Sequence, residues 1–339
     1  SQYYDRKKDR CRKGLVNAMG IQKRSVGIIG LGHVGAHCAY SLLVQGIVDE
    51  LILVDMNEKK AISECQDLND SLAYMPHNCK IRVGSYEDLK DCDILVNSVG
   101  QIEMIASGDR VLEMEFTIAA VNSYVKKVVD AGFHGIWINI TNPCDIVTRQ
   151  VALLSGLPKG HVFGTGTGLD TARLKTVLAG LTDYDHKSIN GFVLGEHGRK
   201  QMVPWSNVSF GGKSLDSMAA SDEKFRFDRE KAKNMVHDNA WVTYNGKHCT
   251  EYGICSTLAR MVSIIFHDER AIVPASMLLD EEYGEHDIYV GVPVLLSANG
   301  VEKVIELDLT PEEHDEFIAC CEGVRQNMED GKKRGIEIL

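Results

Sequence analysis

Apolar residues in this chain follow two rhythms. Over the first half, short continuous apolar runs alternate with longer stretches in which apolar positions recur every three or four residues. Ser25 to Ile29 is a β-branched run, and Val34 to Val44 after it has helical spacing. Glu50-Leu51-Ile52-Leu53-Val54-Asp55 reads as the next strand, and Glu58 to Met75 as a polar helix stopped by Pro76. Asp93 to Val99 is another buried strand, closed by Gly100. A loop from Gln101 to Arg110 leads into a long helix through Val129, and Ile136 to Ile140 is counted as the fifth strand, ahead of Thr141-Asn142-Pro143. Continuous apolar strands separated by helices predict a parallel sheet covered on both faces.

After Gly164 the rhythm changes. Gly166 to Ala179 reads as a helix, followed by alternating segments at Ile189 to Leu194 and Met202 to Phe210, with Gly211-Gly212 as a turn. Asp222 to Tyr244 and Thr250 to His267 read as helices, and Ile272 to Leu279 and Ile288 to Leu296 as strands. Asn299-Gly300 signals a hairpin into Val301 to Leu307. Thr310-Pro311-Glu312-Glu313 supplies an N-cap, a proline at the first helical position and a capping-box acid for a last helix. The expected fold is therefore α/β, a Rossmann-type doubly wound parallel sheet over residues 21–165 followed by a mixed α+β domain over 166–339. In the doubly wound arrangement ligands sit beyond the carboxyl ends of the strands.

The net charge of −11 over 339 residues argues against a nucleic-acid partner, which needs a basic stripe, and against a membrane surface on the same grounds. Residues 1–20 are the basic exception, with Arg6, Lys7, Lys8, Arg10, Arg12 and Lys13. They lack the apolar centre of a signal peptide and read as an extension outside the fold, the alternative being an arm on a neighbouring subunit. No apolar run approaches the roughly 20 residues that span a bilayer. The ten cysteines are scattered without a Cys-x-x-Cys pair, so no metal site is expected and the thiols read as free in a reducing cytosol.

Three stretches carry chemistry. Gly30-Leu31-Gly32-His33-Val34-Gly35 lies between the first strand and the first helix, where glycines let backbone approach a pyrophosphate at the helix N-terminus. Asp55, 20 residues past Gly35, can accept hydrogen bonds from ribose hydroxyls and repel a 2′-phosphate, so NAD is expected over NADP. Gly30, Gly32, Val34, Gly35, Asp55, Gly100 and Asn142 are the candidate cofactor residues. Leu169-Asp170-Thr171-Ala172-Arg173 puts a carboxylate and a guanidinium one helical turn apart. Gly195-Glu196-His197-Gly198 ends an apolar strand. If Asp170 meets His197, the carboxylate fixes the imidazole tautomer and favours the protonated ring, which can then donate a proton to a carbonyl. Arg173 offers a forked donor for a carboxylate. Arg110 ends a loop containing Ser107-Gly108 that can move as a lid. Asn142 is placed by topology near the reacting oxygen.

Gly-Leu-Gly-His-Val-Gly, Thr-Asn-Pro-Cys-Asp, Leu-Asp-Thr-Ala-Arg and Gly-Glu-His-Gly, in this order, resemble the lactate/malate dehydrogenase family from about Val26 to the last helix. The resemblance implies His197 as acid/base with Asp170 as partner, Arg173 as carboxylate clamp and Arg110 as loop arginine. It implies further that Asn142 contacts cofactor and substrate, that Thr250 belongs to the pocket wall, and that the chain is a homo-tetramer or homo-dimer acting on a 2-oxo or 2-hydroxy acid.

The loop from Gln101 to Arg110 departs from the family patterns. It is one residue longer than the usual lactate version, lacks the arginine that binds malate's second carboxylate and carries Glu103, so malate is not expected. Apolar Ile102, Met104 and Ile105 resemble the L-2-hydroxyisocaproate dehydrogenases. Lys175 and Asn190 stand where bacterial lactate dehydrogenases activated by fructose bisphosphate carry Arg and His. The sequence thus points to an NAD-dependent L-2-hydroxyacid dehydrogenase taking a medium or branched apolar 2-oxo acid. L-lactate dehydrogenase is the alternative, and a catalytically silent NAD-binding protein the alternative from another class.

Overall fold

The computed structural model describes residues 21–101 and 110–339, and of Arg110 only the backbone; the extension 1–20 and the loop residues Ile102, Glu103, Met104, Ile105, Ser107 and Gly108 lie outside the described residues. The first half runs β1 (Ser25–Ile29), α1 (His33–Val44), β2 (Glu50–Val54), α2 (Glu58–Ser71), β3 (Lys80–Val83), β4 (Ile94–Asn97), α3 (Arg110–Asp130), β5 (Ile136–Asn139), α4 (Cys144–Ser155) and β6 (Val162–Gly164). Its strands are all parallel in the order β3-β2-β1-β4-β5-β6. The chain steps outward one way from β1 and resumes at β4 on β1's other side, which opens a crevice past their carboxyl ends. Both the glycine loop after β1 and Gly100 after β4 border that crevice.

Burial explains which strands the sequence announces. Every residue of β1, β4 and β5 is buried. By contrast β3 lies at the sheet edge and buries only Ile81. The sequence reading assigned no strand there, and none of the elements from Cys144 to Gly164. The polar helix ends at Ser71 and passes into a 3-10 turn over Leu72–Tyr74, short of the expected Met75.

The second half contains α5 (Gly168–Thr182), β7 (Ile189–Asn190), β8 (Leu194–Gly195), β9 (Gln201–Met202), β10 (Ser209–Phe210), β11 (Lys213–Ser214), α6 (Leu215–Ser221), α7 (Arg229–Lys247), α8 (Tyr252–His267), β12 (Ala271–Asp280), β13 (His286–Ser297), β14 (Gly300–Val304) and α9 (Pro311–Lys333). β12 pairs antiparallel with β6 at Ser276 and Gly164, so one sheet of 11 strands runs through both halves. The expected strand from Met202 to Phe210 is instead two short strands around a turn at Trp205–Asn207, because Pro204 cannot donate to a ladder. The expected helix from Asp222 begins at Arg229, where the Asp228 side chain accepts from the Lys231 amide; a separate 3-10 turn covers Glu223–Phe225. α9 has the capping box read from Thr310 and Glu313.

The main core lies on both faces of the large sheet, with Trp137, Tyr124 and Phe163 among its largest buried side chains. A second cluster, including Leu174, Leu178, Phe210 and Phe225, fills the space between α5 and the small sheet β11-β10-β7. This cluster fixes α5, the helix that carries Asp170 and Arg173. Among the described residues no helix is long and apolar enough to cross a membrane.

Candidate active site

The glycine loop is shaped by close backbone approach. Gly30 has φ +90°, and a Cβ there would lie 2.6 Å from the Ser98 carbonyl oxygen; one on Gly35 would lie 1.9 Å from that of Gly30. Gly30 therefore lets the loop close on the chain just past β4, and Gly35 lets α1 close on the loop; neither lines the cleft. Gly32 and Gly100 differ, since a Cβ on either would meet nothing within 4 Å among the described residues. Together with His33 and Val34 they face a cleft of about 530 Å³. No side chain caps the N-terminus of α1, so its first amides and partial positive charge are left for an anion.

Asp55 stands just past β2 with each oxygen engaged once, Oδ2 accepting from the Leu31 amide at 2.7 Å and Oδ1 from the Asn57 amide at 2.8 Å. An ionised carboxylate accepts about four hydrogen bonds, so capacity for two hydroxyls remains. Across the crevice Asn142 lines the cleft with a buried Oδ1 that has no hydrogen-bond partner among the described residues, and Thr141 Oγ1 is likewise without one among them. Buried oxygens without partners are uncommon and mark where a bound group belongs. Open backbone at Gly32 and Gly100, an uncapped helix and these orphaned oxygens fit a dinucleotide.

The second group of side chains comes from α5 and the turn after β8. Asp170 and Arg173 sit one turn apart on α5, with Arg173 Nη1 3.5 Å from Asp170 Oδ1. His197 Nδ1 lies 2.7 Å from Asp170 Oδ2. The pairing expected from sequence is therefore present, and it leaves Nε2 as the ring nitrogen that can meet a ligand. His197, Asp170 and Arg173 all line the cleft. Burial works against the charged imidazole, but the charge and hydrogen bond of Asp170, helped by the charge of Asp145, outweigh it and raise the His197 pKa. Burial lowers the Arg173 pKa against the pull of Asp170; a guanidinium stays charged regardless.

Asp145, the last residue of the Thr-Asn-Pro-Cys-Asp motif, was given no role by the sequence reading. It is buried and accepts from the His197 amide at 3.0 Å through Oδ2 and from Ser276 Oγ at 2.6 Å through Oδ1. Burial pushes its carboxyl up to about 7, opposed by those two hydrogen bonds. It thereby ties the histidine turn to α4 and β12.

Thr250 lines the cleft, as expected, on the segment between α7 and α8. A wall of the cleft made by Val236, Ala240, Trp241 and Tyr244 of α7 was not foreseen. Those residues stand at i, i+4, i+5 and i+8, a spacing identical to that of an ordinary core-facing helix. Arg110 is the first residue of α3, and its side chain lies outside the described residues.

Comparison with known proteins agrees with this geometry. A family model for the lactate/malate dehydrogenase NAD binding domain matches residues 24–164, and one for the lactate/malate dehydrogenase alpha/beta C-terminal domain matches residues 167–334. An L-lactate dehydrogenase of Fusobacterium nucleatum is 42% identical over 314 residues, covering 92% of this chain and 98% of the relative. L-lactate dehydrogenase 1 of Bifidobacterium longum is 40% identical over 314 residues, covering 91% and 98%. Among solved structures, a lactate dehydrogenase, MGS-M5, from a deep-sea metagenome library of the Medee basin superposes with a TM-score of 0.86 at 32% identity, covering 92% of this chain and all of that one. The ligand-bound minor L-lactate dehydrogenase of Enterococcus mundtii gives 0.85 at 33% identity, covering 91% and 98%. The chain belongs to the lactate/malate dehydrogenase family and is an NAD-dependent oxidoreductase acting on 2-hydroxy acids.

Proposed function

We propose that the chain is an L-lactate dehydrogenase, interconverting pyruvate and L-lactate. The observation that carries the chemistry is the chain of contacts from Arg173 through Asp170 to His197 on one wall of the cleft. The choice of substrate rests on relatives at 40–42% identity that are named L-lactate dehydrogenases. The sequence reading favoured larger apolar 2-oxo acids on the strength of Ile102, Met104 and Ile105, and those residues lie outside the described part of the chain.

In this reading Arg173 binds the substrate carboxylate through its planar fork. His197 Nε2 donates a proton to the carbonyl oxygen during reduction and recovers it during oxidation. NAD, when bound, accepts or gives the hydride. Asp170 holds the ring's tautomer and favours its charged form, and Arg110 adds positive charge at the polarised oxygen. Asn142 contacts cofactor and substrate, and Thr250 contributes to the pocket wall. Asp55 holds the adenine-side ribose, while Gly32, Val34 and Gly100 give the dinucleotide its path and Gly30 and Gly35 shape the loop that binds it. We place the domain boundary near Thr165, the enzyme in the cytoplasm and the active form as a homo-oligomer. Half-exposed Tyr40 and Val44 on α1 support that assembly, and light scattering tests it. A silent NAD-binding protein would have no use for the 2.7 Å pairing of His197 with Asp170.

The deciding experiment is NADH oxidation across pyruvate, 2-oxobutyrate, 2-oxoisocaproate and oxaloacetate. Pyruvate is expected to have the highest kcat/KM. Oxaloacetate is expected to be poorest, because the loop sequence Gln101 to Arg110 carries Glu103 and lacks the arginine with which malate dehydrogenases bind a second carboxylate. A preference of roughly tenfold or more for 2-oxoisocaproate over pyruvate would replace this reading with the hydroxyisocaproate one.

A further inference from the structure

His33, Cys249 and Glu251 bring three kinds of metal-ligating side chain together. His33 opens α1, and Cys249 and Glu251 lie between α7 and α8. We propose that these three residues form a zinc site at the mouth of the cleft. One donor atom from each, the His33 imidazole nitrogen, the Cys249 sulfur and a Glu251 carboxylate oxygen, all lie within 4.8 Å of one another. Metal–ligand bonds of about 2.0–2.3 Å at tetrahedral angles put donor atoms roughly 3.3–3.8 Å apart, so only small side-chain adjustments are needed. One pair is already closer than that, His33 Nδ1 and Glu251 Oε1 at 3.1 Å.

The surroundings prepare the carboxylate. Glu251 is buried. Its Oε2 is held by Lys247 Nζ at 2.8 Å, while Oε1 faces His33 Nδ1 and, at 3.7 Å, His37 Nδ1. His37 Nδ1 is itself 2.7 Å from the His33 carbonyl oxygen, which makes it a neighbour rather than a ligand. Oε1 is therefore fixed towards the incoming ion by a contact on the far oxygen, as the outer partners of metal ligands commonly do. One imidazole, one thiol and one carboxylate select a borderline-soft ion such as Zn²⁺ over Mg²⁺ or Ca²⁺, which take oxygen ligands. Three protein ligands leave a fourth position open, and His33 and Cys249 both line the cleft. The ion would join the start of α1 to the turn between α7 and α8.

Cobalt(II) tests the site directly, because a thiolate ligand gives a near-ultraviolet charge-transfer band and tetrahedral cobalt gives intense visible bands. Chelator-treated full-length protein should bind one Co²⁺ with both signatures, and Zn²⁺ should displace it. Cys249→Ser should abolish the thiolate band. His33→Ala and Glu251→Gln should each weaken binding by roughly tenfold or more, since losing even an outer partner of a ligand costs that much. Cys65→Ser, which alters the other partly exposed thiol among the described residues, should leave the titration unchanged. Metal-free melting curves check that each variant is folded, and His33, being more than half exposed, is the substitution the fold tolerates best. A thiolate band that persists in Cys249→Ser, or cobalt bound with equal affinity by folded His33→Ala, would overturn the assignment.

Discussion

For His197 to protonate a ketone, as proposed, it has to carry its proton at working pH, and the carboxylate 2.7 Å away outweighs the burial that works against the charged ring. A raised pKa extends the imidazolium form to higher pH. Reduction should therefore be fastest below that pKa and fall by about one decade per pH unit above it, while oxidation of the hydroxy acid rises through the same range. His197→Asn should lower turnover by about 10²–10⁴-fold while NADH binding, followed by fluorescence, stays near that of the parent. Near-normal turnover would remove His197 from the chemistry. At Arg173 the expected loss is in substrate binding: Arg173→Lys keeps the charge but not the fork, and KM for the 2-oxo acid should rise by the equivalent of roughly 2–5 kcal/mol. Asp55→Ser should narrow the preference for NADH over NADPH, and equal use of both cofactors by the parent enzyme would contradict the role given to Asp55. The Asp170–His197 pairing and the placement of Arg173 one turn from Asp170 were legible in the sequence, because each residue lies in a short motif whose spacing limits what it can reach.

Asp145 shows where that legibility stops. Its partners, the His197 amide and Ser276 Oγ, are 52 and 131 positions away, and no local pattern connects them. What joins them is the packing of α4, β12 and the β8 turn into one corner. Asp145→Ala would leave a buried N–H and a buried O–H without acceptors, at about 1–3 kcal/mol each. It would also withdraw one of the charges that raise the His197 pKa. The variant should melt lower, and its reduction rate should begin to fall at a lower pH, with NADH affinity little changed. A lower melting temperature with an unshifted pH profile would make Asp145 purely structural. The same distinction governs the elements. β1, β2, β4 and β5 were readable because burial on both faces writes a continuous apolar run. The edge strand β3 carries too few buried side chains to write a period, and the alternation at Ile189 to Leu194 and Met202 to Phe210 marked extended chain without showing that each segment breaks into two-residue strands. The cleft-facing wall on α7 was hidden for a different reason, because a helix facing a cleft and a helix facing a core have the same pattern.

At the scale of the whole molecule, the doubly wound order of the first half was legible from its alternating rhythm, but the continuation of the sheet was not. Ser276 of β12 pairs with Gly164 of β6 across 112 positions, and hairpin signals say nothing about such a neighbour. That continuation matters for function. The cleft is walled on one side by residues that follow β1, β4 and β5 and on the other by α5, α7 and the turn after β8. A ligand filling it touches both halves of one continuous sheet, so it should stabilise the chain as a unit. NADH at about 100 times its dissociation constant adds roughly 2.7 kcal/mol to the folded state. For a chain of this size that corresponds to a rise in melting temperature of about 4 °C. Oxamate, a non-reducible isostere of pyruvate, should add a further rise in the presence of NADH, and Arg173→Lys should lose that increment while keeping the first. NADPH at the same concentration should raise the melting temperature less than NADH, since a 2′-phosphate would meet Asp55. A scan in which NADH leaves the transition unmoved would place dinucleotide binding outside the cleft, whereas an NADH shift without an oxamate increment would leave the cofactor in place and move the carboxylate away from Arg173.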